Sequence, residues 1–279
     1  MCRWLGYFGE PIRPEELLYV PEHSLIVQSQ RSEQMAHPLN GDGFGLGWYG
    51  LRDEPGVYRS PSPAWSDRNL REISAQVESP LFLAHVRAST GTPSQQTNCH
   101  PFRLGRWLFV HNGFINEYQR VHRELLLAVD PELFDNIEGT TDSELLFHLA
   151  LTFGLRDDPV GALERMAGFV EQTCERQGID TPLQMSVGVS DGERLWAVRY
   201  ASGPEVNTLY VSAEAHSVRE LYPDRERLQH FSDETRIVVS EPLVNLPGVW
   251  HELAPGTALV VQGGQDEMRP FAPRVPAGV

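Results

Sequence analysis

Residues 80–89 read PLFLAHVRAS, and this stretch sets the architecture. Apolar side chains run from Leu81 to Ala84 and return at Val86. Successive side chains of a strand point to opposite faces, so a run that is apolar at both parities belongs in a sheet covered on both sides. RWLFVHNGF at 106–114 is a second apolar run of strand length, and LGWY at 46–49 follows a glycine cluster. Residues 1–116 therefore read as strands and glycine-rich loops.

Residues 117–178 read as helices. EYQRVHRELLLAV comes first. TDSELLFHLALTFGL (141–155) opens on Thr141 with Glu144 three residues later, a capping-box pattern, and spaces Leu145, Leu146, Leu149 and Phe153 helically. PVGALERMAGFVEQTCERQG (159–178) starts at a proline and stops at a glycine, as helices do. Strand-like runs resume over 183–264, with a hairpin signal at Asp191–Gly192. Strands, then helices, then strands give an α+β protein with two sheets under helices. We read 2–264 as a single domain and the Pro-rich 265–279 as a C-terminal tail.

The chain has 279 residues, of which 41% are hydrophobic and 22% charged, values typical of a globular protein. Its formal net charge is −15 and no Lys/Arg cluster is present. This excludes a nucleic-acid partner and disfavours an anionic membrane surface. Three cysteines, Cys2, Cys99 and Cys174, make no disulfide framework. The N-terminus lacks the pattern of a secretory signal, so the expected location is cytoplasmic. No metal or cofactor is expected. His85, His100 and His111 lack metal spacing and read as hydrogen-bonded structural histidines.

Two motifs mislead. GLGWYG (45–50) matches a dinucleotide fingerprint, but prolines and no helical period follow it. GVSDG (188–192) matches a nucleophile elbow, but ERLWAVRY after it is strand-like, which places Ser190 at a hairpin.

Cys2 has sharper chemistry. Removal of Met1 would expose a thiol and a free α-amine on one residue. The amine, with an ordinary pKa of about 7.7–8.0, can take the thiol proton near neutral pH, so nucleophile and base come from one terminus. Such a nucleophile needs oxyanion donors. Asn112 and Gly113, at the end of a strand run, can supply a side-chain amide and a backbone N–H, or be a plain Asn-Gly turn. An amino-acid head group needs a cation and an anion to hold it. Arg87 and Asp142 are of the right type, although a sheet-edge salt bridge and a helix-start carboxylate would explain them too.

MCRWLGYFG, NGDGFGLGWY, AHVRAST, NCHPF, VHNGFI and TTDSE, in this order, resemble the class II glutamine amidotransferases. The resemblance implies that family's N-terminal-nucleophile (Ntn) hydrolase fold, a four-layer α-β-β-α sandwich. It implies Cys2 as nucleophile, Asn112 and Gly113 as oxyanion site, Arg87 and Asp142 as holders of the glutamyl head group, and His100 at the glutamine pocket. Ala88 stands where synthase-coupled members usually carry Trp, ahead of the polar segment STGTPSQQ. PEHSLIVQSQ, NGDGFG, PAW (63–65) and HVRAST…NCHPF look most like the stand-alone γ-glutamyl hydrolase subgroup, which includes a fungal glutathione-degradation subunit and an ergothioneine-pathway hydrolase. The expected activity is hydrolysis of a small-molecule γ-glutamyl amide through a thioester. The alternatives are a glutaminase subunit feeding ammonia to a partner synthetase and a non-catalytic scaffold that binds a γ-glutamyl ligand.

Overall fold

The computed structural model describes residues 2–32, 39–89, 91–224, 226–263 and 265–276. Its strands are β1 (Arg3–Ile12), β2 (Phe44–Trp48), β3 (Gly56–Ser60), β4 (Ser79–Val86), β5 (Phe102–Leu104), β6 (Trp107–Ile115), β7 (Leu183–Ser190), β8 (Leu195–Ala201), β9 (Tyr210–Ser212), β10 (Arg236–Val239), β11 (Trp250–Glu252), β12 (Thr257–Gln262) and β13 (Gln265–Pro270). One sheet runs β11-β9-β10-β1-β4-β2-β3 and the other β13-β12-β8-β7-β6-β5. The described pairings are antiparallel, as in β1 with β4 and β6 with β7.

The two-sided reading of 80–89 holds. Leu81 and Leu83 enter a core with Trp4, Leu108, Val110 and Leu259, which lies between the sheets. Phe82, Ala84 and Val86 point the other way, into a core with Leu17, Leu25 and Leu70 from the helices Glu15–Leu18, Leu25–Gln30 and Arg68–Gln76. A third core joins Phe109, Val187 and Val198 to Leu145, Leu149, Met166 and Val170 of the helices Asp142–Thr152 and Pro159–Arg176. The layers are helix, sheet, sheet, helix, the four-layer α-β-β-α sandwich.

The helix Asp142–Thr152 is buried all round from Ser143 to Leu151, and Phe153 lies beyond it at the C-cap. The sequence suggests one apolar face. The helix instead sits between the second sheet and its neighbouring helices, where an all-round apolar surface is the stable one. Its capping box is half made. Thr141 Oγ1 accepts the Glu144 amide at 3.2 Å, but the Glu144 carboxylate turns to the amides of Glu138 and Gly139 at 3.0 and 2.6 Å. Glu144 thereby fastens the preceding loop.

Both misleading motifs resolve as strands. GLGWYG lies on and just after β2, which leads to β3. Ser190 ends β7, and the hairpin turn to β8 follows.

The chain end differs from expectation. Residues 265–274 do not trail. β13 pairs with β12 along its length, from Thr257↔Pro270 to Gln262↔Gln265. Phe271 is buried against Tyr200, with ring centroids 5.4 Å apart. The Arg274 amide bonds the Glu164 carbonyl at 3.1 Å. Gly168 makes room for this segment, because a Cβ there would lie 2.4 Å from the Arg274 carbonyl carbon. An edge strand uses its backbone and leaves most side chains in solvent, so polar QDEMRP carries no apolar alternation to betray it.

Candidate functional site

Cys2 directly precedes β1. Arg3 pairs with Val86, so one further step of the register sets Cys2 opposite Arg87, just past the end of β4. The Ala88 amide donates to Cys2 Sγ at 3.4 Å, and Sγ lies 3.5 Å from the Ala88 carbonyl oxygen. Arg3 anchors the strand start from the far side. Its guanidinium is ion-paired with the buried Glu241 and donates to the Cys2 carbonyl at 2.8 Å. Desolvation raises the Cys2 thiol pKa, and the Ala88 amide, the N-terminal charge, Arg87 and Arg3 oppose it. Met1 lies outside the described residues.

The Arg87 side chain is buried, with Nη1 donating to the Asp42 carbonyl at 3.1 Å and Nη2 to Ser89 Oγ and Thr92 Oγ1 at 3.2 and 2.6 Å. Asp42 also takes the Ser89 amide on its carboxylate at 2.7 Å. The described part of STGTPSQQ thus closes on the guanidinium, covering it with neutral hydroxyls.

Asn112 and Gly113 lie on β6, opposite Ser186 and Met185 of β7. Only glycine fits at 113, since a Cβ would sit 1.9 Å from the Gln184 carbonyl oxygen and 2.5 Å from His111 Nε2. Asp142 starts its helix beside this strand. Asp142 Oδ2 accepts the Ile115 amide at 2.8 Å, and Oδ1 accepts Ser143 Oγ at 3.3 Å.

Two contacts lock the sheets together here. Trp4 Nε1 donates to Ser186 Oγ at 2.9 Å, directly across the ladder from Asn112. His85 Nε2 donates to the His111 carbonyl at 3.1 Å, which assigns its proton to Nε2. The three histidines that the sequence keeps far apart meet here. His85 stacks on His100 with centroids 4.0 Å apart, and His111 Nδ1 bonds Ser143 Oγ at 2.9 Å. His85 and His111 are hydrogen-bonded as expected, but both ring nitrogens of buried His100 lack a partner among the described residues. Burial holds all three rings neutral. It lowers His85 to about 3, lowers His100 well below its ordinary range, and lowers His111 against the pull of Asp142.

The six sequence candidates fall in two groups, Cys2 with Arg87 and Asp142 with Asn112 and Gly113, and His85 on β4 bridges to the second strand, β6, and stacks on His100. Cys2 touches the residue after Arg87, and Asp142 holds the strand of Asn112 and Gly113. The sequence reading missed the supporting groups: Asp42 and Glu241 behind Arg87 and Arg3, Trp4 with Ser186, and Asn207, whose side chain reaches the Asn112 carbonyl. Asp42 lay inside the quoted NGDGFG motif. Trp4 likewise lay inside MCRWLGYFG, and Glu241, Ser186 and Asn207 had no local signal, because each contact joins segments remote in sequence. Among the described residues, no group of three or more His, Cys, Asp or Glu side chains is placed to hold a metal ion, and no helix is long and apolar enough to cross a membrane.

A family model described as "Glutamine amidotransferases class-II" matches residues 23–275. The "Probable glutamine amidotransferase DUG3" of Saccharomyces cerevisiae is 31% identical over an alignment covering 94% of this chain and 82% of that protein. The "Gamma-glutamyl-hercynylcysteine sulfoxide hydrolase" of Mycolicibacterium smegmatis is 30% identical, covering 72% and 79%. Among solved structures, a glutamine aminotransferase class-II domain protein from Silicibacter pomeroyi superimposes with a TM-score of 0.73 at 33% identity, covering 98% of this chain and 100% of that one. An allosteric regulatory enzyme of purine biosynthesis shares the fold alone, with a TM-score of 0.67 at 14% identity over 98% of this chain and 50% of that one. The chain belongs to the class II glutamine amidotransferases and is an amidohydrolase of that type.

Proposed function

We propose that this enzyme hydrolyses the γ-glutamyl amide bond of a small molecule, with Cys2 as the nucleophile once Met1 is removed. The observation that carries the reading is the seat of Cys2 Sγ, 3.4 Å from the Ala88 amide and one residue from the buried Arg87. Desolvation keeps the resting thiol protonated, and so a nearby base is required. The freed α-amine of Cys2 is that base.

The amine takes the thiol proton and sulfur bonds to the γ-carbonyl carbon. The Asn112 side-chain amide and the Gly113 N–H hold the oxygen as it gains negative charge. The C–N bond breaks, and the departing amine receives the proton from the α-ammonium. Water, deprotonated by the same amine, then cleaves the γ-glutamyl thioester and frees glutamate. Arg87 binds the α-carboxylate, which displaces the Ser89 and Thr92 hydroxyls from Nη2. Asp142 pairs with the α-ammonium. His100 backs this pocket through His85.

For the leaving group we propose a cysteine-derived, sulfur-containing amine, supported by the γ-glutamyl-hercynylcysteine sulfoxide in the name of the M. smegmatis relative. Met-free protein assayed alone against glutamine and a panel of γ-glutamyl-cysteine compounds tests this. Faster turnover of the γ-glutamyl-cysteine compounds than of glutamine is expected, together with complete loss in Cys2→Ala. Preference for glutamine would favour ammonia transfer to a partner subunit. Full activity in Cys2→Ala would end the nucleophile assignment.

A further inference from the structure

The carbonyl of Asn112 and the N–H of Gly113 belong to one peptide unit. Such a unit is planar and trans, so its C=O and N–H point in opposite directions, and whatever grips one end aims the other. Asn207 grips the carbonyl end. Its Nδ2 donates to the Asn112 oxygen at 2.9 Å, and the side chain is buried. Asn207 is itself held, because its backbone carbonyl accepts Arg199 Nε at 2.7 Å. Arg199 is buried too, bonded to the Leu253 carbonyl and paired with Glu252 at 2.8 Å. The next residue reaches the other sheet. Thr208 Oγ1 donates to the Ser240 carbonyl at 2.9 Å. Ser240 then bonds Trp4 twice, amide to Trp4 carbonyl at 3.0 Å and hydroxyl from the Trp4 amide at 3.0 Å. The pair 207–208 thus spans from the 112–113 peptide to a point two residues from Cys2.

We propose that Asn207 is a positioning residue of the oxyanion site, aiming the Gly113 N–H and fixing its distance from Cys2. The inference rests on the roles given above to Cys2 and Gly113. An amide whose carbonyl accepts a hydrogen bond is polarised and donates more strongly through its N–H. A donor aimed at developing charge acts on the transition state more than on bound substrate. Losing the Asn207 bond should therefore fall on kcat and spare KM.

The test compares wild type, Asn207→Ala and Asn207→Asp, with Thr208→Val as a variant that cuts the tie to Ser240 and leaves Asn207 in place. The probes are a γ-glutamyl amide that wild type turns over, the product glutamate, glutamate γ-semialdehyde and iodoacetamide. The Cys2 thiolate adds to the semialdehyde carbon, and the carbonyl oxygen becomes an oxyanion that needs the same donors. Removing the Asn207 donor should lower kcat about tenfold to a hundredfold and weaken semialdehyde inhibition by the same factor. KM, glutamate inhibition and Cys2 alkylation should stay within about twofold. Thr208→Val should show the same split at smaller amplitude. Wild-type kcat in all three variants, or semialdehyde and glutamate binding weakened together, overturns the proposal. A Cys2→Ala control separates the two levels. If Cys2→Ala is dead and the Asn207 variants run at wild-type kcat, only Asn207 is misassigned. If Cys2→Ala is active, the nucleophile reading and this inference both fall.

Discussion

Asp142 Oδ2 accepts the Ile115 amide at 2.8 Å, tying the first residue of a buried helix to β6 two residues past Gly113. One carboxylate thus braces the strand, and in the proposed mechanism it also pairs with the substrate ammonium. Asp142→Asn keeps an oxygen acceptor for Ile115 and removes the charge. Hydrogen bonds to charged groups are worth about 1.5–3 kcal/mol, so kcat/KM should fall roughly tenfold to a hundredfold, mainly through KM, with little loss of stability. Steady-state kinetics and urea melts on the same samples check it.

Gly113→Ala should act on the fold itself. The new Cβ would meet the Gln184 carbonyl oxygen at 1.9 Å, and a ladder carbonyl cannot move aside as a side chain can. Overpacking of this kind costs about 1–3 kcal/mol. We expect the urea midpoint to drop accordingly and turnover to be lost, because β6 and β7 must separate at the proposed oxyanion site.

Glu241→Ala should also destabilise strongly. Arg3 and Glu241 are both buried and paired, and removing one partner of such a pair costs about 3–5 kcal/mol. The loss loosens the start of β1, so thermal melting should fall and Cys2 alkylation should quicken in parallel.

The histidine cluster predicts an acid-labile fold. Burial lowers the His85 pKa from the ordinary 6.5 to about 3, so between those values the unfolded chain binds a proton that the native chain does not. Stability then rises with pH through that window, is complete above about 6.5, and is lost as pH falls, by about 1.4 kcal/mol per pH unit for each such group. His100 shifts the same way, and its ring nitrogens have no partner among the described residues. His100→Phe should flatten the acid limb by about one such group, read from urea midpoints at pH 7.5 and 5.5.

Much of this was legible in the sequence, and the reason is locality. The both-parity run at 81–86, the helical spacing at 145–149 and the Asp191–Gly192 turn each express burial or turn chemistry within a few residues. They place β4, the helix Asp142–Thr152 and the β7–β8 hairpin correctly. β13 was not legible, because an edge strand is defined by its partner and not by its own pattern. The site divides the same way. Cys2 and the motif residues carry their chemistry in their type and order. Asn207 and Glu241 matter through contacts to residues 95 and 238 positions away, which no local window contains. The histidine cluster is the intermediate case: its members sit beside the motifs, but their meeting is a product of the sandwich.

The most direct test of the account is to catch the acyl enzyme. Met-free protein is mixed with excess γ-glutamyl substrate, quenched in acid and digested. The N-terminal peptide beginning at Cys2 is then weighed by mass spectrometry. The account predicts one γ-glutamyl group on Cys2, formed at least as fast as product appears and absent from Cys2→Ala. Steady hydrolysis with an unmodified Cys2 peptide throughout, or an acyl group on another residue, would contradict it.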